Sequence, residues 1–262
     1  MNTDVESRPS APTPPEAPPR RTYRLRWLAA AVLVALALAG AGLWWFVFRG
    51  EAPPPASLDQ ALAGIEAPVS SVAATAPAAS PVEGTWSIDR TITNAQGSGS
   101  YTGFRVDEVL SGIGSTTAVG RTSTVEGTLT VRGTTLTGAT IKANLTGITT
   151  NDSRRNDAVQ RALATSRYPS ATFVLTTPVD VGSVPAEGER ITVAATGDLT
   201  IRDVTRTVVL DLEAQLRSGV LVVVGSNDVV FSDYGVTVPS APIVASVDDH
   251  AVVEVQLYFT KQ

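Results

Sequence analysis

Residues able to do chemistry are few in this chain, and their spacing argues mostly against catalysis. His250 is the only histidine, and there is no cysteine. A nucleophile–base–acid relay needs a histidine beside a placed nucleophile and an orienting acid. No G-x-S-x-G elbow supplies that nucleophile, and without cysteine neither a disulfide framework nor a thiolate metal site can form. Gly97-Ser98-Gly99-Ser100 is glycine-rich, but no G-K-[S/T] follows it to cradle a phosphate. Asp233, Asp248 and Asp249 could hold calcium only if folding gathered them; separate turn acids are the simpler reading. Asn144-Leu145-Thr146 and Asn151-Asp152-Ser153 match the glycosylation acceptor pattern, although Asn144 falls in a predicted strand. No catalytic group, metal or cofactor is therefore expected, and the chain reads as a non-enzyme.

One polar group has a functional reading. Arg154, Arg155 and Asp157, with Glu108 and Arg121, are candidate head-group contacts if they ring the mouth of an apolar cavity. Solvated faces are the competing explanation, since exposed charges contribute little.

The elements that would carry this group begin at Glu83, where side chains start to alternate apolar and polar, the mark of strands with one buried face. Predicted strands cover Glu83–Asp89, Tyr101–Leu110, Val125–Val131, Leu136–Ile148, Ala171–Thr177, Arg190–Ile201, Thr205–Leu216, Val220–Phe231 and Ala251–Thr260. Asn151–Arg167 breaks the rhythm and reads as a helix capped by Asn151 or Asp152, with Ala158, Ala162 and Leu163 at helical spacing. Tyr168-Pro169 ends it. Eight or so antiparallel strands with one apolar face each predict an all-β barrel or sandwich with one short inserted helix.

A small barrel either fills its interior or leaves room for one ligand. The inward rows are rich in Val, Leu, Ala and Gly, and aromatics make up 6% of the chain. Small side chains leave space, so the lining candidates are Phe104, Val106, Leu129, Ile141, Leu145, Phe173, Leu175, Leu199, Leu210, Leu212, Val255 and Leu257. A filled core built from the same residues is the alternative. An apolar lumen would take a long acyl or prenyl chain by burial alone, at about 0.8 kcal/mol per methylene.

Upstream lies Trp27–Phe48, WLAAAVLVALALAGAGLWWFVF, without one charged residue. As a helix it reaches roughly 33 Å, against a hydrocarbon core of about 30 Å. Residues 27–48 are therefore predicted to form a single transmembrane helix, with Trp27 and Trp44–Phe46 at the interfaces. A cleaved signal peptide competes, but its apolar region is shorter and ends at small residues. Arg20, Arg21, Arg24 and Arg26 precede the span and only Arg49 follows it before Arg90. The positive-inside rule then puts the N-terminus in the cytoplasm and residues 49–262 outside. Residues 1–26 are expected as a disordered cytoplasmic tail and 49–82 as a proline- and alanine-rich linker, in which Leu58–Ile65 could form a turn or two of helix. Residues 83–262 carry 14 basic and 19 acidic groups, a charge that argues against a nucleic-acid partner.

Several stretches together resemble one family. They are TWSID at Thr85–Asp89, YTGFRVDEVL at Tyr101–Leu110, AVGRT at Ala118–Thr122 and VEGTLTV at Val125–Val131. NDSRRNDAVQ at Asn151–Gln160, RYPSATF at Arg167–Phe173, GDLTIRDVTRTVVLDL at Gly197–Leu212 and FSDYGVTVPS at Phe231–Ser240 follow in order. From about Gly84 to Lys261 the chain resembles the YceI-like family, and specifically its membrane-anchored, actinobacterial-type members. The resemblance implies an extended, lipocalin-like antiparallel barrel whose cavity holds a polyisoprenoid or similar amphiphile. Two departures stand out. Arg90-Thr91-Ile92 replaces the His-Ser pair that many members have after the opening motif, and Asp203 replaces the glycine of the Leu-Thr-Ile-x-Gly turn, where it can also adopt a turn conformation. The expected protein is a membrane-tethered, extracytoplasmic lipid binder of the cell envelope. A non-catalytic structural or protein-interaction module with a filled core is the alternative.

Overall fold

The structure is a computed structural model that describes Ala30 and residues 32–40, 52–65, 82–239 and 241–262. The predicted tail lies outside the described residues. Of the predicted span, Ala30 and residues 32–40 (α1) are helical, with Leu33, Leu36 and Leu38 exposed. The rest of 27–48 lies outside the described residues, among which no helix is long and apolar enough to cross a membrane.

From residue 84 the chain closes on itself. The ring runs β1 (Gly84–Ile88), β4 (Val125–Arg132), β5 (Thr135–Asn144), β7 (Ser170–Leu175), β9 (Arg190–Ile201), β10 (Val204–Arg217), β11 (Val220–Val230) and β13 (His250–Lys261), which pairs back to β1. Every pairing is antiparallel, so this is a closed eight-stranded barrel, and closure leaves no ring strand with an unpaired edge.

A short strand, β8 (Val179–Asp180), flanks the wall on β5, and above the ring the wall is continued by further strands. β2 (Tyr101–Leu110) resumes the course of β1 along β13, with Trp86 opposite Lys261, Ile88 opposite Phe259, then Tyr101 opposite Gln256. A second short strand, β12 (Val244–Val247), flanks the wall on β2. β3 (Gly114–Thr122) pairs with β2 and runs on into β4 past Ser123-Thr124. β5 passes through a 3-10 turn at Leu145–Gly147 into β6 (Thr149–Thr150), which pairs with β3. Three of the eight staves are thus broken at one level, by Asp89–Ser100, Ser123-Thr124 and Leu145–Ile148. β3 was not among the predicted strands, because GSTTAVGRT carries little apolar alternation.

The helix forms later than the sequence suggests. A 3-10 turn at Ser153–Arg155 comes first, capped by the Asp152 side chain, and α3 spans Asn156–Leu163. It stops at Ala164, whose φ of 49° is left-handed, four residues before Tyr168. Its Leu163 packs on the barrel interior.

Of the predicted linker, residues 49–51 and 66–81 lie outside the described residues, while 52–65 are not featureless. Ser57 caps α2 (Leu58–Leu62), and Leu58, Ala61 and Leu62 are buried against the outward residues Val222, Val224 and Tyr258. The Tyr258 hydroxyl donates to the Ala61 carbonyl at 2.9 Å. Prolines at 53–55 exclude regular structure but not docking: Arg105 donates to the Pro53 carbonyl and Arg121 to the Pro54 carbonyl.

Candidate functional site

Alternation decides which residues face the interior. On β13, Val253, Val255, Leu257 and Phe259 point inward, opposite Val223 and Leu221 of β11, while Glu254, Gln256 and Tyr258 point outward, Glu254 and Tyr258 beneath residues 52–65 and Gln256 towards the Gly99 carbonyl. The inward residues do not make one continuous core. A lower cluster joins Trp86, Leu129, Leu216, Leu221, Leu257 and Phe259 and climbs one wall to Ala143 and Leu145. An upper cluster joins Phe173, Leu199, Leu210, Val229 and Tyr234. Between them, Phe104, Ile141, Leu175, Leu212, Val223, Val253 and Val255 face inward yet are only half-buried. This girdle is the least tightly buried part of the inner face.

The lining candidates divide accordingly. Leu129, Leu145 and Leu257 belong to the lower cluster, Phe173, Leu199 and Leu210 to the upper one, and Phe104, Ile141, Leu175, Leu212 and Val255 to the girdle. Val106 is buried on β2. Inward glycines do not simply add space. A Cβ at Gly120 would collide with the Phe104 ring, one at Gly197 with the Phe173 ring, and one at Gly225 with Leu212. Large cross-strand neighbours lie over the bare glycines, so their room is already taken.

The polar candidates separate into two places. Glu108, on the inward face of β2 and 8% exposed, pairs with Arg155 at the upper end. Asp152 lies 3.8 Å from Arg155 Nη1 and accepts from Arg154 Nε at 2.9 Å. That hydrogen bond, with the nearby charges of Arg154 and Arg155, holds the Asp152 carboxyl below its usual range against the opposing effect of burial. Asp157 is exposed in the first turn of α3. Arg121 does not join them. Its odd position on β3 puts it on the outer face, where Arg121 Nε donates to Glu254 Oε1 at 2.7 Å and the guanidinium lies 4.3 Å from the Tyr101 ring centre. Arg105 Nε donates to the other oxygen, Oε2, at 3.1 Å, and the Ala56 N–H reaches Oε2 at 3.3 Å. Glu254 is 1% exposed and serves as the anchor of the docked segment.

Sequence reasoning missed a third group at the upper end. Tyr234 follows β11 in a 3-10 turn (Phe231–Tyr234); it is 2% exposed, and its hydroxyl has no hydrogen-bond partner. Burial pushes its phenol pKa up, Arg206 pulls it back, and Asp233 adds to the rise. Arg202, in the β9–β10 turn, donates through Nη1 to the Gly235 carbonyl, and its buried Nε is likewise unpartnered. Arg202, not Asp203, takes the left-handed backbone, with φ of 59°. Asp203 instead accepts from the Tyr168 hydroxyl at 3.0 Å. The FSDYGVTVPS motif held Tyr234 in plain view, but nothing in its spacing showed a buried hydroxyl.

Elsewhere the chemistry is sparse. His250 is exposed and its Nδ1 lies 3.1 Å from Asp249, whose carboxylate raises the imidazole pKa. Among the described residues, no three His, Asp or Glu side chains are gathered to hold a metal. A groove of about 760 Å³ beside the broken staves is lined by Asp89, Arg90, Thr91, Ser123 and Thr124 among others. Its polar walls offer a long hydrocarbon chain little.

The fold places the protein among closed eight-stranded antiparallel β-barrels with one short inserted helix. The chain belongs to the YceI-like domain family, whose model matches residues 86–259. No curated protein sequence matches it. Among solved structures it is similar to a polyisoprenoid binding domain from Saccharophagus degradans implicated in plant cell wall breakdown, at 19% identity and TM-score 0.54, covering 68% of this chain and 98% of that one. Burkholderia cenocepacia BcnA matches at 18% identity and TM-score 0.45, over 60% of this chain and 95% of that one. A Campylobacter jejuni YCEI protein matches at 16% identity and TM-score 0.45, over 55% and 85% respectively.

Proposed function

We propose that this protein binds a polyisoprenoid or similar long-chain amphiphile in the barrel, and that it acts by holding the lipid, not by transforming it. The half-buried apolar girdle between the two packed clusters carries this reading. Burial of a hydrocarbon chain there needs no catalytic group and gains about 0.8 kcal/mol per methylene removed from water. Family membership and the polyisoprenoid binding domain among similar structures support it.

The same proposal places the barrel outside the cytoplasm, tethered by residues 27–48 beside the bilayer that supplies its ligand. The uncharged span and the arginines preceding it support that topology. Glu108, Arg155 and Asp152 border the upper end, where a polar head would emerge.

Binding of geraniol, farnesol and geranylgeraniol to the full chain tests the reading. Each added isoprene unit should tighten binding at least tenfold until the hollow is filled, because about 1.4 kcal/mol suffices for that factor. Affinity independent of chain length would refute it.

A further inference from the structure

The exposed apolar side chains of the barrel domain are not scattered evenly. Among the described residues from 82 onward, the two exposed isoleucines, Ile113 and Ile243, share one tip with the exposed Val109. Backbone contacts hold this tip together. The Ser111 N–H donates to the Ile243 carbonyl at 2.7 Å, and the Ile113 N–H to the Leu110 carbonyl at 3.1 Å. Half-buried Leu110 and Val244 pair beside them. The tip stands above the ring: β11 ends at Val230, opposite His250, while β2 runs on past that level between β3 and β12. Neither residues 109–120 nor 234–247 carry a charge, so the tip can leave water without stranding an ion.

The docked segment 52–65 fixes the side from which the chain arrives. The Pro53 carbonyl accepts from Arg105 and the Pro54 carbonyl from Arg121, the two arginines that hold Glu254. The Ala56 N–H donates to Glu254 itself, and the Ala61 carbonyl accepts from Tyr258, further down β13. The segment therefore enters from the upper side and descends. As free coil, residues 49–82 would let any face of the barrel reach a membrane; docking removes that freedom. Phe48, the last residue of the uncharged stretch, precedes Pro53 by five positions, a reach of at most about 18 Å. From Arg105, β2 climbs the same number of residues to Leu110, about 17 Å at about 3.3 Å each. A bilayer crossed by residues 27–48 is then within reach of the tip.

We propose that this tip docks on the lipid bilayer through Ile113, Ile243 and Val109, and that the docked residues 52–65 hold the upper end of the barrel against it. This rests on the tethered topology proposed above and adds which end of the barrel meets the bilayer. Three apolar side chains bind a membrane only marginally by themselves, but a short tether makes the contact intramolecular, and a marginal contact then suffices.

The chain has no cysteine, so Ile113→Cys, Ile243→Cys and Val184→Cys each offer one thiol for a fluorophore. Val184 is as exposed as the isoleucines, 40% against 37% and 39%, but lies at the lower end, in the loop between β8 and β9. Each labelled full chain is reconstituted into phosphatidylcholine vesicles containing doxyl-labelled lipid and recovered by flotation. Labels at 113 and 243 should be quenched at least about threefold more than the label at 184, because a docked tip sits in the headgroup region. The difference should persist in about 0.5 M salt, since screening acts on charges and the tip has none. Ile243→Asp added to the 113-labelled protein should bring its quenching down to that at 184; Ile243 is exposed, so the melting temperature should not move. Floated protein whose three labels quench alike, or whose quenching at 113 survives Ile243→Asp or vanishes in salt, overturns this inference and leaves the tether intact. Protein that fails to float overturns the tethered topology on which the inference rests.

Discussion

Val255→Phe is the substitution that most sharply separates a hollow barrel from a filled one. Val255 faces inward in the girdle and is half-buried, packed beside the lower cluster but not sealed within it. Phenylalanine adds about four carbons, which in a hollow displace about four methylenes of ligand, or about 3 kcal/mol at about 0.8 kcal/mol each. Farnesol should then bind roughly a hundredfold more weakly. Stability should barely change, because the ring enters existing space. Ala214→Leu is the control: Ala214 is 7% exposed inside the lower cluster. Overpacking there should cost about 1–3 kcal/mol, lowering the melting temperature by about 2–4 °C per kcal/mol in a domain of this size. Calorimetric melting and farnesol dialysis on both variants give the two readouts. If Val255→Phe lowers the melting temperature as much as Ala214→Leu does, the interior is packed and the reasoning fails.

Other consequences follow from named contacts. Glu254→Ala leaves Arg105 and Arg121 facing each other across a vacated buried site. It should cost about 3–5 kcal/mol and expose residues 52–65 to proteolysis; unchanged cleavage there would show that the docking does not depend on this anchor. Gly197→Ala drives a Cβ into the Phe173 ring and the Val174 carbonyl. It should destabilise by about 1–3 kcal/mol, partly relieved in a Gly197→Ala/Phe173→Leu double variant, and purely additive effects would refute the clash. Burial pushes the Tyr101 and Tyr258 phenols to about 12. The unfolded chain ionises them near pH 10, so it binds fewer protons than the folded one above that pH, and stability should fall between about pH 10 and 12. Phenolate absorbance should rise late for Tyr101, Tyr234 and Tyr258; ionisation of all five tyrosines near pH 10 would contradict their burial.

The strands were legible because β10, β11 and β13 alternate cleanly and a closed barrel makes most of the inner face apolar. That β3 and the broken staves were not follows from the same physics: Ser, Thr and Gly carry no apolar period. Prolines hid the docking of residues 52–65. They announce an irregular backbone, whereas docking depends on Leu58, Leu62 and a carboxylate 198 residues from Ala56. Glu254 read as an ordinary outward charge, and only the paired outer positions of Arg105 and Arg121 could have hinted otherwise. Arg121 lies outside the mouth because it is one residue out of phase with Ala118 and Gly120, which face inward opposite Val106 and Phe104. The Glu108–Arg155 pair was foreseeable as charges of opposite sign near one end. Tyr234 and Arg202 were not, since an unmet hydrogen bond is a property of packing and leaves no mark in sequence.

Native mass spectrometry of the full chain purified from its own host addresses the hollow most directly. The account predicts one long-chain lipid per protein, released by organic solvent and taken up again by the emptied barrel. A lipid-free mass, together with no uptake of any added prenyl lipid, would contradict it.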